Sequence, residues 1–412
     1  MHQLVELSIE VTNECRLSCL HCSSGSSLER LPDELTPIEH MVLIKQARDL
    51  GATVLSLSGG DPLMYESQPM YCLTALIDAA QELGYEKILV YTTGHGVQGA
   101  TIDKWSGIDY VMKHCPNAVW IFSLHSHKVA VNDWIMNVPG TTENIKSSIR
   151  WLVSRGQQVE VHMVPMKPNF QHIPDMIELC SEMGVAKLSL LRFVPQTRGL
   201  ANYDDLAMSV IEFAWMQAII EVAESSGRIQ DLAIKHKWHL TDLRLGCPID
   251  FRHAMGWLNE KAKPCHAGDD LILVRPNGDV HPCAAWKSLP SDDNVREHSL
   301  EHIWHNSRTF QFIRDFKENE YEKVGQCVTC PYLHSCKSGC LAQRLHACGK
   351  SLDDLYDYHS DPLCPRRLAK DEDVHSIATN LLFGKKEDHR TEDLCRRGAM
   401  RSNWEHLFGG SE

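Results

Sequence analysis

The sequence predicts an α/β protein: a parallel sheet whose strands alternate with helices, followed by a small cysteine-rich domain with little regular structure. Three observations carry that expectation. Apolar, β-branched stretches recur at intervals of roughly 30 to 50 residues through the first half of the chain. Helix-like segments separate them. From Cys265 to Cys364 the composition turns to Cys, Gly, Pro and His with little periodicity, as expected where metal rather than apolar burial organises the chain.

Taken in order, the strand-like stretches are Leu4 to Val11, Thr53 to Ser58, Lys87 to Thr93, Ala118 to Leu124, Gln158 to Val164 and Lys187 to Val194. Between the first two, Thr36, Pro37 and Glu39 supply an N-cap, a first-turn proline and a capping-box acid for a helix that ends near Gly51. A later helix carries Ile145, Ile149 and Leu152 on one face and stops at Gly156. This alternation implies right-handed crossovers and leaves a barrel and a doubly wound sheet both open. In the fifth strand Val159, Val161 and Met163 alternate with Glu160 and His162, the pattern of a strand with one face toward a polar cavity or toward solvent. The expected division is 1–227 for the sheet domain, 228–262 for a bridge, 263–366 for the cysteine-rich domain and 367–412 for a charged tail containing Trp404, Leu407 and Phe408, to which no role is assigned.

The 54 acidic residues outnumber 41 basic ones, and the formal charge of -13 argues against nucleic acid as a partner. No run of eighteen apolar residues occurs, and Glu6 and Glu10 interrupt the first strand. Neither a signal peptide nor a membrane span is expected, and the protein reads as cytoplasmic. Sixteen cysteines are too many to be spare thiols, and a reducing compartment disfavours disulfides, so metal ligation is the better account.

Cys15-Arg16-Leu17-Ser18-Cys19-Leu20-His21-Cys22 places three thiols within eight residues, directly after the first strand. Three such thiolates can bind three irons of a [4Fe–4S] cluster and leave the fourth open. A zinc site is the competing reading, but it needs a fourth ligand, and His21 is poorly placed between two cysteines.

This spacing and position resemble the radical S-adenosylmethionine (SAM) superfamily, whose CxxxCxxC motif follows the first strand of a partial (βα)6 barrel. Ser58-Gly59-Gly60-Asp61-Pro62, closing the second strand, is similar to the family's GGEP-type segment, whose backbone receives the SAM amino group. Alone it is a turn signal. Asp61 stands where glutamate is more usual, while the two glycines permit close backbone approach. Ser123, ending the fourth strand, resembles the family's ribose-contacting hydroxyl; Arg192 on the sixth strand and the following Arg198-Gly199 resemble a segment near the SAM carboxylate. A surface ion pair is the alternative for either arginine. The resemblance implies that a reduced cluster cleaves SAM to a 5′-deoxyadenosyl radical, which takes a hydrogen atom from a positioned substrate. An electron donor such as flavodoxin or ferredoxin is the implied partner. No catalytic side chain is assigned.

In the cysteine-rich domain the pattern runs Cx12Gx4C from Cys265 through Gly278 to Cys283, then Cx2Cx5Cx3C over Cys327, Cys330, Cys336 and Cys340, then Cys364. Pro276-Asn277-Gly278-Asp279 is a hairpin turn that brings Cys265 toward Cys283. The pattern resembles the SPASM domain, which carries two auxiliary [4Fe–4S] clusters in peptide-modifying radical SAM enzymes. That resemblance implies three clusters in all: Cys327, Cys330, Cys336 and Cys364 at the outer auxiliary cluster, Cys265, Cys283 and Cys340 at the inner. Two structural zincs are the alternative. Cys348 could replace Cys364, and Cys247 either supplies the inner cluster's fourth ligand or leaves an open iron. Cys72, Cys115, Cys180 and Cys395 read as plain thiols.

The implied substrate is a ribosomally made precursor peptide, modified by crosslinking, epimerisation or excision of a backbone fragment. An anaerobic sulfatase-maturing enzyme is a second reading, although that family has an aspartate where this sequence has Ala284. A nonenzymatic iron–sulfur electron carrier is a third. Because the cysteines begin at residue 15, no room is expected for an amino-terminal leader-binding domain, which points to a separate leader-recognition protein, the bridge or the tail.

Overall fold

The computed structural model describes residues 2–67, 69–94, 101–225, 242–245, 265–289, 291, 293–325, 327–330, 333–348 and 361–364. Cys247, Cys395, most of the bridge and the tail lie outside these residues.

Six strands follow the expected rhythm: β1 (Glu6–Thr12), β2 (Val54–Gly59), β3 (Lys87–Thr92), β4 (Ala118–Ser123), β5 (Gln158–Met163) and β6 (Lys187–Leu190). Three more, β7 (Asp242–Leu245), β8 (Leu271–Val274) and β9 (Val280–His281), extend the same sheet, ordered β7-β6-β5-β4-β3-β2-β1-β8-β9. Pairing is parallel throughout except at the β8–β9 hairpin. A doubly wound sheet would reverse its strand order partway. Here β1 to β6 run in sequence, so right-handed crossovers lay the helices on one face and the sheet curls into a partial barrel.

Between β1 and β2 lies α1 (Pro37–Asp49), closed at its start by the reciprocal Thr36–Glu39 capping box. The helix α2 (Leu73–Glu82) follows β2, α3 (Ile108–His114) follows β3, α4 (Val129–Met136) and α5 (Thr141–Val153) follow β4, and α6 (Ile173–Met183) follows β5. Ile145, Ile149 and Leu152 of α5 are fully buried, and Gly156 takes the positive φ of 75° that ends the turn after it.

The two faces of the sheet differ. Leu7, Ile9, Leu55, Leu57, Val90, Phe122 and Val161 point to the helices and share one apolar core. Alternate positions carry Glu10, Ser58, Tyr91, Ser123, Glu160, His162 and Ser189, which therefore face the barrel interior. Glu160 and His162 are buried rather than solvated, so the alternation in β5 marks a polar interior. Glu160 meets Lys187 at 3.3 Å, and His162 packs edge-on to Tyr91.

Two features were not anticipated. The sixth strand stops at Leu190 instead of reaching Val194, which places Arg192 just beyond the strand rather than on it. The hairpin arm β8 pairs in parallel with β1, joining the cysteine-rich region to the barrel's open edge.

Candidate cofactor and metal centre

The Cys15–Cys22 loop leaves the carboxyl end of β1 and is fixed at its base. Cys15 N donates to Ser27 O at 2.6 Å, and Glu14 forms a bridge with Ser27. The turn after β2 locks onto the same loop: Gly60 N donates to Thr12 O at 2.7 Å and Asp61 N to Glu14 O at 2.9 Å. A Cβ at Gly60 would lie 2.0 Å from Glu14 O, and one at Gly59, whose φ is +127°, would lie 2.4 Å from Thr12 O. Glycine is thus required for the approach of protein backbone. An ammonium only donates, so what this turn can offer it is carbonyl oxygen.

The Asp61 carboxylate is buried and turned to the end of β3, accepting from Thr92 Oγ1 at 2.9 Å, Thr93 N at 3.0 Å and Thr93 Oγ1 at 2.6 Å. Ser58 donates its hydroxyl to Ile9 O at 3.3 Å. Ser123 is half-buried at the end of β4, in register with His162.

The segment after β6 closes the loop from its other side. Arg198 donates through Nε to Cys19 O at 3.0 Å and through Nη1 to Ser26 O at 2.6 Å, and Thr197 Oγ1 donates to Cys22 O at 2.6 Å. Arg192 points elsewhere, forming a bidentate ion pair with Asp361 in the cysteine-rich region.

The chemistry of the donor set fits an iron–sulfur cluster. Burial pushes the Cys15 thiol up to about 12, with the Asp61 charge adding to it, and burial raises Cys19 well above its usual range, helped by Cys15 and Cys22. Arg198 opposes both shifts. Desolvated thiols that neighbour other cysteines hold their thiolates once a cation sits among them. Among the described residues no three His, Cys, Asp or Glu side chains are grouped as a single metal ion needs them.

The remaining cysteines fall into two groups. Cys283 is raised by burial and by the neighbouring Cys265 and Cys340; burial takes Cys340 to about 12. Burial raises Cys327 to about 11, with Cys364 and Cys330 contributing, and raises Cys336, which feels Cys364, Cys327 and Cys330. Cys283 thus lies near Cys265 and Cys340, and Cys336 near Cys327, Cys330 and Cys364, while Cys283, Cys327, Cys330 and Cys340 all pack in one apolar core. Cys115 and Cys180 sit in the apolar core.

Several residues at this centre escaped the sequence reading. Glu10 accepts from Lys287 Nζ at 2.7 Å and Ser24 Oγ at 2.8 Å, joining β1, the first cysteine loop and the stretch after Cys283. Burial pushes this carboxyl up, but Lys287, Arg275 and Ser24 outweigh it and hold it below the usual range. Gln196 donates to Ala285 O and lies 3.0 Å from His346 Nε2. The His21 and His125 rings meet edge to face at 4.3 Å, and burial lowers His21 to about 4. No spacing rule signals such partners, because each lies far away in sequence. A cavity of about 180 Å³ opens between the segment after β6 and the cysteine-rich region, walled by Phe193, Tyr203, Met208, Phe213, Gln343 and Leu363 among others.

Residues 9–180 match the model of the radical SAM superfamily, and residues 265–331 match that of SPASM, an iron–sulfur cluster-binding domain. The chain thus carries a radical SAM domain and a SPASM domain, and it is an enzyme that binds SAM and iron–sulfur clusters. It is 26% identical over 367 residues to a PqqA peptide cyclase from Streptomyces rochei, covering 86% of this chain and 88% of that one. Streptococcus suis SuiB bound to its precursor peptide SuiA superposes with a TM-score of 0.66 at 19% identity, over 88% of this chain and 76% of that one. The enzyme anSMEcpe with bound AdoMet and Cp18Cys peptide gives 0.63 at 13% identity, over 92% and 99%. At such identities these structures establish the fold. Among the described residues no helix is long and apolar enough to cross a membrane.

Proposed function

We propose that this protein is a peptide maturase that abstracts a hydrogen atom from a ribosomally made precursor peptide, leading to a crosslink, an epimerised centre or excision of a backbone fragment. The relative matched over most of its length is named as a peptide cyclase, and SuiB is seen with a precursor peptide. The observation that carries the reading is structural: residues 192–199 touch both cysteine systems at the carboxyl ends of the strands, so radical source and auxiliary array share one mouth.

In this proposal Cys15, Cys19 and Cys22 hold the SAM-binding [4Fe–4S] cluster. Two auxiliary [4Fe–4S] clusters sit at Cys265, Cys283 and Cys340 and at Cys327, Cys330, Cys336 and Cys364. When bound, SAM and its reduced cluster supply a 5′-deoxyadenosyl radical. The chain's own residues would position it: carbonyls of the Gly59–Gly60 turn would accept the SAM ammonium, Ser123 would serve the ribose, and Arg198, which clamps the cysteine loop, would offset the charge of the thiolates. The proposed divisions remain 1–227, 228–262, 263–366 and 367–412, with a cytoplasmic location, a flavodoxin- or ferredoxin-type donor and a separate leader-recognition protein.

Ala284 follows Cys283 at the head of a short 3-10 turn and provides no carboxylate base there, which weighs against sulfatase maturation. The test is anaerobic reconstitution with SAM, a reductant and the short peptides encoded beside this gene. Formation of 5′-deoxyadenosine together with a mass change in one peptide supports the reading. SAM cleavage with modification of a sulfatase-derived peptide alone, or no SAM cleavage at all, would replace it with the second or third reading.

A further inference from the structure

Among the described residues the ion pair between Arg192 and Asp361 is the most deeply buried one that joins the barrel to the cysteine-rich region, with side chains 4% and 1% exposed. Nη1 and Nη2 reach the two carboxylate oxygens at 2.6 and 2.5 Å. The carboxylate has two further donors: Cys340 N at 2.9 Å and Leu363 N at 3.0 Å. The carbonyl of Asp361 accepts from Cys364 N at 2.9 Å. One residue therefore holds the backbone of a cysteine from each auxiliary group. The surroundings are built to its shape, since Gly339, at φ +83°, would place a Cβ 2.5 Å from Asp361 Cβ. Gln343 Nε2 donates to Phe193 O at 3.0 Å and fastens the same two segments one residue further on.

Stability alone does not explain such a pair. Desolvating two charges offsets most of their attraction, and an apolar pair of equal volume commonly serves a fold as well or better. A buried charge beside a redox centre, however, acts on it through a medium of low dielectric, where its field is weakly screened.

We propose that Arg192 and Asp361 are a positioning pair: Asp361 pins the loops of Cys340 and Cys364, Arg192 fixes that carboxylate to the exit of β6, and their opposed charges together set the reduction potential of the auxiliary cluster at Cys340. This rests on the assignment of the seven array cysteines to two clusters. A lone carboxylate disfavours the reduced, more negative state; a lone guanidinium favours it. The pair holds the two influences in balance.

Redox titration of the reconstituted, full-length protein, followed by electron paramagnetic resonance and iron analysis, tests this. Asp361→Asn leaves the cation uncompensated and moves an auxiliary potential up, whereas Arg192→Gln leaves the anion and moves it down. The double variant returns close to the wild-type value. SAM cleavage should stay within about twofold in all three while peptide modification falls about tenfold in each single variant. Shifts of both single variants in the same direction, or no shift, would overturn the proposal, because a purely structural tie has no sign. If both single variants lose irons, recovery of the irons and the wild-type potential in the double variant supports the pair, and failure to recover them overturns it. A wild-type protein without auxiliary-cluster signals would instead remove the cluster assignment, and this proposal with it.

Discussion

The two cysteine systems meet at the carboxyl ends of the strands, through residues 192–199, but are built in opposite ways. Cys15, Cys19 and Cys22 come from a single loop whose base is bonded to Ser27, to the turn after β2 and to Arg198, and which rests on the large apolar core that includes Leu17. The array from Cys265 to Cys364 draws its thiols from six separate turns and short helices around a smaller core of Trp286, Leu289, Ile313, Phe316 and Val324. The first is held by backbone hydrogen bonds to the sheet. On the proposed assignment the second would depend on metal for much of its order, the regime of small domains whose apolar burial is insufficient alone. Radical generation would then rest on the sheet, with the auxiliary array tied to it by a few buried polar contacts.

The sharpest break of the comparison is Cys15→Ala, Cys19→Ala and Cys22→Ala together. About four irons of about twelve should be lost, SAM cleavage abolished, and the auxiliary signals kept; loss of all iron would mean that the array cannot form without the first loop. Gly60→Ala comes next. Its Cβ would meet the Glu14 carbonyl at 2.0 Å, and relief of that clash requires backbone movement costing about 3 kcal/mol or more. SAM cleavage should fall about a hundredfold; near-normal turnover would show that the loop tolerates displacement.

Removing iron by chelation under anaerobic conditions should raise hydrogen exchange over 265–345 far more than in β1 to β5, and equal loss in both regions would erase the proposed difference. Glu10→Gln leaves Lys287 buried with Ser24 but without an opposite charge, with an expected penalty of about 3 kcal/mol, read as weakened protection around Lys287 and Ser24. Replacing both, as Glu10→Gln with Lys287→Met, should restore most of it. Cys247→Ala should leave iron content and activity unchanged if the inner cluster keeps an open iron, while loss of about one cluster would identify Cys247 as its fourth ligand.

The smallest effect is a pH dependence confined to the barrel. Burial lowers the His40 imidazole to about 3 from a usual 6.5, so in the folded protein it stays neutral where the unfolded chain binds a proton. Its contribution is fully present above about pH 6.5 and declines as the pH falls toward about 3, at roughly 1.4 kcal/mol per pH unit. Thermal midpoints at pH 7 and pH 5 should differ less in His40→Gln than in the wild type, and an unchanged difference would mean that other groups dominate.

Local signals were legible in the sequence: the capping box at Thr36, the six strands, the hairpin at Asn277-Gly278 and the cysteine spacings. Each is written within a few neighbouring residues. The pairing of β8 with β1, the reach of Lys287 to Glu10 and the commitment of Arg192 to Asp361 join residues more than 150 positions apart, and no local pattern encodes them. The Gly59–Gly60 turn was recognisable, yet its tightest steric demand, the loop backbone at Thr12 and Glu14, is visible only in three dimensions. Arg192 shows the same limit from the other side. Its apolar neighbourhood suggested a longer strand, but the chain turns away at Leu190 and the side chain finds a carboxylate in the other region.

The most direct test of the account is the metal content of the full-length wild-type protein after anaerobic reconstitution, measured with SAM cleavage in the same sample. Three four-iron clusters predict about twelve irons per chain, little zinc, and 5′-deoxyadenosine formed on reduction. Stoichiometric zinc at the array with about four irons, or zinc with hardly any iron, would contradict it.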